Sequence, residues 1–274
     1  MASTRNRPAR PYVRDHSVPL SFDLKDRHAL IVGVANEQSL AWGVAQAFSA
    51  AEARLAITYL NESAEPHVRP LAESLAADII APLDVANANQ EEALFQRIAE
   101  RWPRLDCLVH SIAFAPKPDL HGRVVDSSAD GFARAMDISV HSFLRLVRRA
   151  EPLMSNGGAC LTMSFYGAEK IVPEYNLMGP VKAALEAAMR ELAVELGPQA
   201  IRVNALSPGP IATRAASGIK AFENLLADAH EKAPLRRLAT IDDVGACATF
   251  LCSEAGRSIT GAVLQIDGGA NILA

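Results

Sequence analysis

The stretch HALIVGVANEQSLAWGVAQAFSAAEARLAITYL, residues 28–60, decides the fold. It opens on the apolar run HALIVGVA (28–35), in which Gly33 marks a turn. SLAWGVAQAFSAA then carries apolar residues at helical spacing, and RLAITYL (54–60) is again apolar and β-branched. Strand, glycine turn, helix and strand make a βαβ unit, whose two strands lie parallel. The alternation continues down the chain. ADIIAPLDV (77–85), LDCLVHSIA (105–113), ACLTMS (159–164), IRVNALSPG (201–209) and AVLQIDGG (262–269) each read as strands, with helical stretches between most of them. About seven strands in this order predict an α/β fold, a doubly wound parallel sheet with helices on both faces. Ligands bind such sheets at the carboxyl ends of the strands, so chemistry is sought just after each one.

A chain of 274 residues fits one such domain. Residues 1–22 differ from the rest, with four arginines, three prolines and one acidic residue. The prolines spoil an amphipathic targeting helix and no apolar h-region exists, so this segment reads as a disordered basic extension. Residues 23–274 then form a single Rossmann-type domain. Half the chain (50%) is hydrophobic and 21% is charged, as in a soluble protein with a sizeable core. A formal charge of −4 argues against non-specific nucleic-acid binding, which needs a basic excess. No apolar run is long enough to cross a membrane. The four cysteines, Cys107, Cys160, Cys247 and Cys252, form no CxxC pair. They read as free thiols, mostly buried, in a reducing cytoplasm, rather than as disulfides or metal ligands.

After the first strand, GVANEQSLAWG lacks the GxGxxG spacing, so it is a weak dinucleotide signature taken alone. Its chemistry is suitable all the same. Gly33 lets backbone approach a phosphate, and Ser39 can cap the next helix while its hydroxyl meets the same anion. An ordinary capped turn would look alike. The second strand ends at Leu60-Asn61-Glu62, which offers no cation for a ribose 2′-phosphate and so favours NADH over NADPH; Arg69 is the nearest alternative cation. The third strand ends in Asp84 and Val85, a carboxylate and an apolar contact suited to adenine, or simply a helix cap. Ser111–Ala113, after the fourth strand, are slender enough to run beside a ribose and nicotinamide, while His110 reads as a packed histidine.

SFYGAEKIVPEYNLMGPVK (164–182) holds two tyrosine–lysine pairs, Tyr166 with Lys170 and Tyr175 with Lys182. Either spacing can bring both side chains to one helix face. Pro173 discourages helix at Val172, so the first pair has no sustained helix to hold it. Tyr175 stands where the next helix should begin, near Asn176, and Lys182 follows two turns along the same face. Tyr175 and Lys182 are therefore the candidate catalytic pair.

This segment resembles the active-site region of the enoyl-acyl-carrier-protein reductases, a branch of the short-chain dehydrogenase/reductase superfamily. That branch uses Tyr-x6-Lys where most of the superfamily uses Tyr-x3-Lys. GVANEQSLAWG, LDV, HSIAFAP, SPGPIATRAASGIKAF and TIDDVG…FLCS…ITG…IDGG also stand in the family's order. The resemblance implies that Gly33, Ser39 and Leu40 meet the pyrophosphate of NADH, Leu60 the adenosine ribose, and Asp84 and Val85 the adenine. It places Ile112 beside the nicotinamide, Lys182 on its ribose, and Ile211, Ala212, Thr213, Arg214 and Ala215 over the nicotinamide and phosphates. Ala115, Ile219 and Phe222 would line the acyl site. The implied activity is NADH-dependent reduction of a trans-2-enoyl thioester, on acyl carrier protein or CoA, by a homotetramer.

Three positions depart from the family pattern. Phe165 stands where many members have a second tyrosine, Ala113 where glycine is usual, and Pro180 falls between the catalytic pair. A carbonyl reductase or alcohol dehydrogenase on the same fold would want Tyr-x3-Lys at the helix start, and a non-catalytic NAD(H)-binding sensor would have lost Tyr175 or Lys182. Basic residues that relatives place beyond GIKxF to meet an acidic carrier are replaced by Glu223 and Asn224, with Asp228 and Glu231 further on. Weak carrier docking is expected from that exchange.

Overall fold

A computed structural model describes residues 21–213 and 222–273 of the chain. Its centre is a seven-stranded sheet of β1 (His28–Val32), β2 (Arg54–Tyr59), β3 (Ile79–Pro82), β4 (Cys107–His110), β5 (Gly158–Met163), β6 (Ile201–Pro208) and β7 (Val263–Ile266). All pairings are parallel, in the order β3-β2-β1-β4-β5-β6-β7. The order reverses between β1 and β4, where Val32 pairs with His110. That split is the switch point at which a doubly wound sheet opens a crevice.

Every residue of β1 and β4 is buried. Strands covered on both faces need no polar alternation, which is why they read as continuous apolar runs. On one face Ala29 and Ile31 pack under α1 (Leu40–Ala50), α2 (Glu65–Ser74) and α9 (Ile241–Cys252), with Phe48 at the centre. On the other, Leu30 and Val32 belong to the core shared with α3 (Ala88–Arg101), α5 (Ala129–Met136), α6 (Ser142–Ala150) and α7 (Met178–Leu196), with Phe143 at its centre. Truncating either fully buried phenylalanine to alanine would cost about 3–5 kcal/mol. Helices α1 and α9 cross at two glycines. A Cβ on Gly245 would lie 2.4 Å from the Gly43 carbonyl oxygen, so the crossing needs both to stay bare.

The expected strands are all present, but shorter where a ligand loop follows. The 105–113 run, for example, leaves the sheet after His110. Between β4 and α5 lies the short α4 (Lys117–His121), and α8 (Phe222–Lys232) precedes α9. A π-helical segment, Asp137–His141, joins α5 to α6. Cys107, Cys160 and Cys252 are buried and Cys247 half-buried, all as free thiols. Among the described residues no helix is long and apolar enough to cross a membrane, and no group of side chains could hold a metal ion.

Candidate active site

A cavity of about 250 Å³ opens at the switch point, lined from the carboxyl ends of β1, β4, β5 and β6. At one end, Gly33 leaves β1 with a φ of +108°, and a Cβ there would sit 2.1 Å from the Ser111 carbonyl oxygen. Only glycine fits both the dihedral and the space. Ser39 occupies the N-cap position of α1, but its hydroxyl donates to the Asn36 carbonyl (2.6 Å) and accepts from the Ala35 N–H (3.4 Å). The expected side-chain cap is therefore absent. Ser39 stitches the turn together instead; its carbonyl takes the Trp42 N–H (2.9 Å), and among the described residues no side chain caps the first turn of α1, a place suited to an anion.

Across the cavity stand Tyr175 and Lys182, 7% and 4% exposed. Helix α7 starts at Met178 rather than near Asn176, so Tyr175 lies on the turn leading into it. That turn is held by the Tyr175 N–H on the Val172 carbonyl and the Met178 N–H on the Tyr175 carbonyl. The Asn176 amide reaches across to the Leu120 carbonyl at the end of α4 (2.8 Å). Lys182 projects from the second turn of α7 and donates to the Met163 carbonyl that ends β5 (2.6 Å). Burial pushes the Tyr175 phenol well up, so it stays protonated and can donate. Burial also pushes the Lys182 ammonium down to about 8, against the opposing pull of Glu186.

Beneath this pair, Glu186 is 4% exposed and receives the Ser164 hydroxyl. Burial raises its pKa above the ordinary carboxylate value. His110 is fully buried between the Thr162 and Ser142 hydroxyls, both at 2.9 Å, and burial with the nearby Lys182 charge lowers it to about 3. A histidine so placed is neutral packing, not a proton carrier. Tyr166 lies in a short 3₁₀ turn, and Lys170 points away to the Asn271 carbonyl. That pair is not assembled against the cavity.

The remaining candidates divide by position. Gly33, Ser39, Leu40, Ile112, Ala115, Ile211, Thr213 and Phe222 line the cavity with Tyr175 and Lys182. Ala212 is exposed beside it. Leu60, Asp84 and Val85 do not line it; Leu60 follows β2 and Asp84 and Val85 follow β3, at the carboxyl ends of the same sheet. Asp84 is not a helix cap, since Asn87 caps α3; its carboxylate accepts the Ala86 N–H (2.9 Å). Arg214, Ala215 and Ile219 lie outside the described residues.

The sequence pattern of the enoyl-(acyl carrier protein) reductases matches residues 33–271. The chain belongs to this family. The Rhizobium meliloti protein named enoyl-[acyl-carrier-protein] reductase [NADH] 1 is 45% identical over 246 residues, 90% of each chain. The Anaplasma phagocytophilum reductase crystallised with NAD is 48% identical and superposes with a TM-score of 0.88, covering 92% of this chain and 96% of that one. A Bacillus cereus enoyl-acyl carrier protein reductase solved with NADP+ and an indole naphthyridinone is 41% identical, with a TM-score of 0.89 over 92% and 99% of the two chains.

The departures from this enoyl-reductase family have physical settings. Pro180 is the third residue of α7, where an N–H has no intrahelical partner to lose, so its cost largely disappears. Phe165 packs with its ring tilted against Tyr175, centroids 4.8 Å apart, and against Tyr166 at 4.5 Å. It shapes the Tyr175 wall without offering a second hydroxyl. Ala113 lines the cavity and narrows it by its methyl group. Phe114, Leu120 and Met178 also line it and were not singled out from the sequence. Phe114 follows the fourth strand and Met178 follows the candidate tyrosine, Tyr175, so position alone could have flagged both. Ser139 carries no such signal. It accepts the Phe114 N–H (2.9 Å) and donates to the Phe114 carbonyl (3.0 Å) from inside the π segment.

Proposed function

We propose that this chain reduces the trans-2 double bond of an enoyl thioester with hydride from NADH, the last reductive step of a fatty-acid elongation cycle. The observation that carries the reading is the buried Tyr175–Lys182 pair facing the Gly33–Leu40 turn across one cavity. Bound NADH supplies the hydride to C3 of the thioester, and a proton from solvent completes the change at C2. As charge builds on the thioester oxygen, Tyr175 donates a hydrogen bond to it, a role typically worth about 10²–10³ in rate. Lys182, anchored on the Met163 carbonyl, has two further donors for the nicotinamide ribose.

Gly33, Ser39 and Leu40 hold the pyrophosphate in this reading. Leu60 meets the adenosine ribose, Asp84 and Val85 the adenine, Ile112 the nicotinamide, and Ile211, Ala212 and Thr213 flank the cofactor. Ala115 and Phe222 bound the acyl chain. A carbonyl reductase is disfavoured because Tyr166 and Lys170 do not converge on the cavity.

The carrier end is less basic than its function would suggest. Glu223 and Asn224 are exposed on α8, and Asp228 pairs with Lys232 at 3.0 Å. Arg237 pairs with Asp243 at 2.9 Å. Enoyl-CoA should accordingly be a good substrate beside the carrier-bound form. We place the protein in the cytoplasm as a homotetramer, with residues 23–274 as its single domain. The open β7 edge and the exposed Leu235, Ile272 and Leu273 suit a subunit contact. NADH oxidation with 2-enoyl-CoA and 2-enoyl-carrier substrates, side by side with a ketone, tests the activity. Turnover of the ketone alone would overturn it.

A further inference from the structure

The carboxyl end of β2 is where a sheet of this kind tells NADH from NADPH, because the ribose 2′ position of a bound dinucleotide lies there. A 2′-phosphate needs backbone N–H donors or a cation. The N–H groups where α2 begins, those of Ala64 and Glu65, are already engaged. At the start of α2, the Asn61 side chain and carbonyl accept the Ala64 N–H (3.1 and 2.9 Å), and the carbonyl also accepts the Glu65 N–H (3.1 Å).

The cation is engaged as well. Residues 60–74 contain three carboxylates, Glu62, Glu65 and Glu73, against one arginine, Arg69, and one histidine, His67. Arg54 lies at the far end of β2, paired with Asp78 at 2.7 Å. Arg69 is the strand-end cation, and its Nε donates to the Glu65 carboxylate at 2.8 Å. Glu73 approaches it from the next turn at 3.8 Å. Glu65 stands four residues ahead of Arg69 in the first turn of α2, the favourable polarity for such a pair and for the helix dipole. The buried Tyr59 hydroxyl, on the last residue of β2, lies against both. It braces a pair that would otherwise be a loose surface contact.

We propose that Glu65 sets the preference for NADH over NADPH by holding the Arg69 guanidinium on its own helix, away from the ribose 2′ position. The carboxylate acts by competing with the 2′-phosphate for this cation, which its short bond to Nε already holds. Glu62, exposed nearby, holds no cation among the described residues. A family that includes members solved with NAD and with NADP+ must make this choice with few residues, and one i,i+4 pair is a small enough device.

Equilibrium titration of NADH and NADPH by cofactor fluorescence, at low ionic strength, tests the proposal. Wild type, Glu65→Ala and Glu65→Ala/Arg69→Ala are compared. Glu65→Ala should shift the NADPH/NADH affinity ratio toward NADPH by about tenfold, the order expected for one freed charge partner, and the double variant should lose that gain. Should Glu65→Ala fold poorly, Glu65→Gln keeps the shape and should shift the ratio the same way by about threefold. A ratio within twofold of wild type in the single variants, or a gain that survives removal of Arg69, overturns the proposal. The proposal rests on the dinucleotide site, and binding rather than turnover is read. Failure to reduce an enoyl thioester would count against the proposed activity and leave the ratio to decide this point.

Discussion

Gly167→Ala should disable the enzyme without unfolding it. Gly167 lies in the 3₁₀ turn Tyr166–Ala168, and its φ is not in the left-handed region, so alanine suits the backbone. The obstacle is the Tyr175 ring. A Cβ at 167 would lie 2.6 Å from Tyr175 Cδ1 and 2.9 Å from Cε1, and 3.4 Å from Phe165 Cδ1. Ordinary contact begins at 3.4 Å, so the ring must retreat by about 0.8 Å. Phe165 packs against the same ring, which limits the direction of retreat. Overpacking of this kind costs about 1–3 kcal/mol of stability, which a domain of this size survives. A misplacement near 1 Å at the reacting centre costs about 10²-fold in rate. Single-turnover hydride transfer should therefore fall about 10²-fold, while the NADH dissociation constant changes by less than threefold. A folded variant with a hydride-transfer rate within threefold of wild type would refute the placement of Tyr175 as the donor, or its dependence on a bare residue 167.

Tyr175→Phe should lower single-turnover hydride transfer about 10²–10³-fold, whereas Tyr166→Phe should leave it within a few-fold; the reverse pattern would move the active site to the other pair. Lys182, held down to about 8, should lose its charge as pH rises through that value, so kcat/KM for NADH should fall above about pH 8 and Lys182→Met should abolish that limb. The sign for stability is opposite. The unfolded chain holds this proton up to about 10.5, so burial of the ammonium costs roughly 3 kcal/mol below pH 8, relieved as pH rises from 8 to 10.5. Lys182→Met should consequently keep or raise Tm at neutral pH while losing activity, even after the lost bond to the Met163 carbonyl. Glu223→Arg should raise kcat/KM for the carrier-bound substrate several-fold at low salt and leave enoyl-CoA unaffected; no gain would place carrier docking on another surface.

Much of the fold could be read in the chain because strands such as His28–Val32 and Cys107–His110 are buried on both faces and need apolar residues throughout. The site was legible in outline for a related reason, since in a parallel sheet function follows strand ends. What stayed hidden depends on contacts between distant segments. Nothing near Ser39 says that its hydroxyl will turn back to Asn36 instead of capping α1. Nothing in DISVH says that the helix will widen there so that Ser139 can grip Phe114. The Tyr175 turn is the sharpest case. Glu174 and Asn176 carry φ values of 62° and 42°, left-handed conformations that non-glycine residues adopt at a cost of about 1–3 kcal/mol each. The Asn176 bond to Leu120, 56 residues away, helps hold that strain in place. Local propensity would have run the helix back toward Tyr175 and pointed its ring along α7. With these left-handed residues and the Asn176 bond in place, the helix begins only at Met178; Tyr175 then lies on the turn facing the cavity and Pro180 in the first turn of α7, where it does no harm. Pro180, which falls between Tyr175 and Lys182 in sequence, is thus compatible with that candidate pair because the tyrosine is not itself helical.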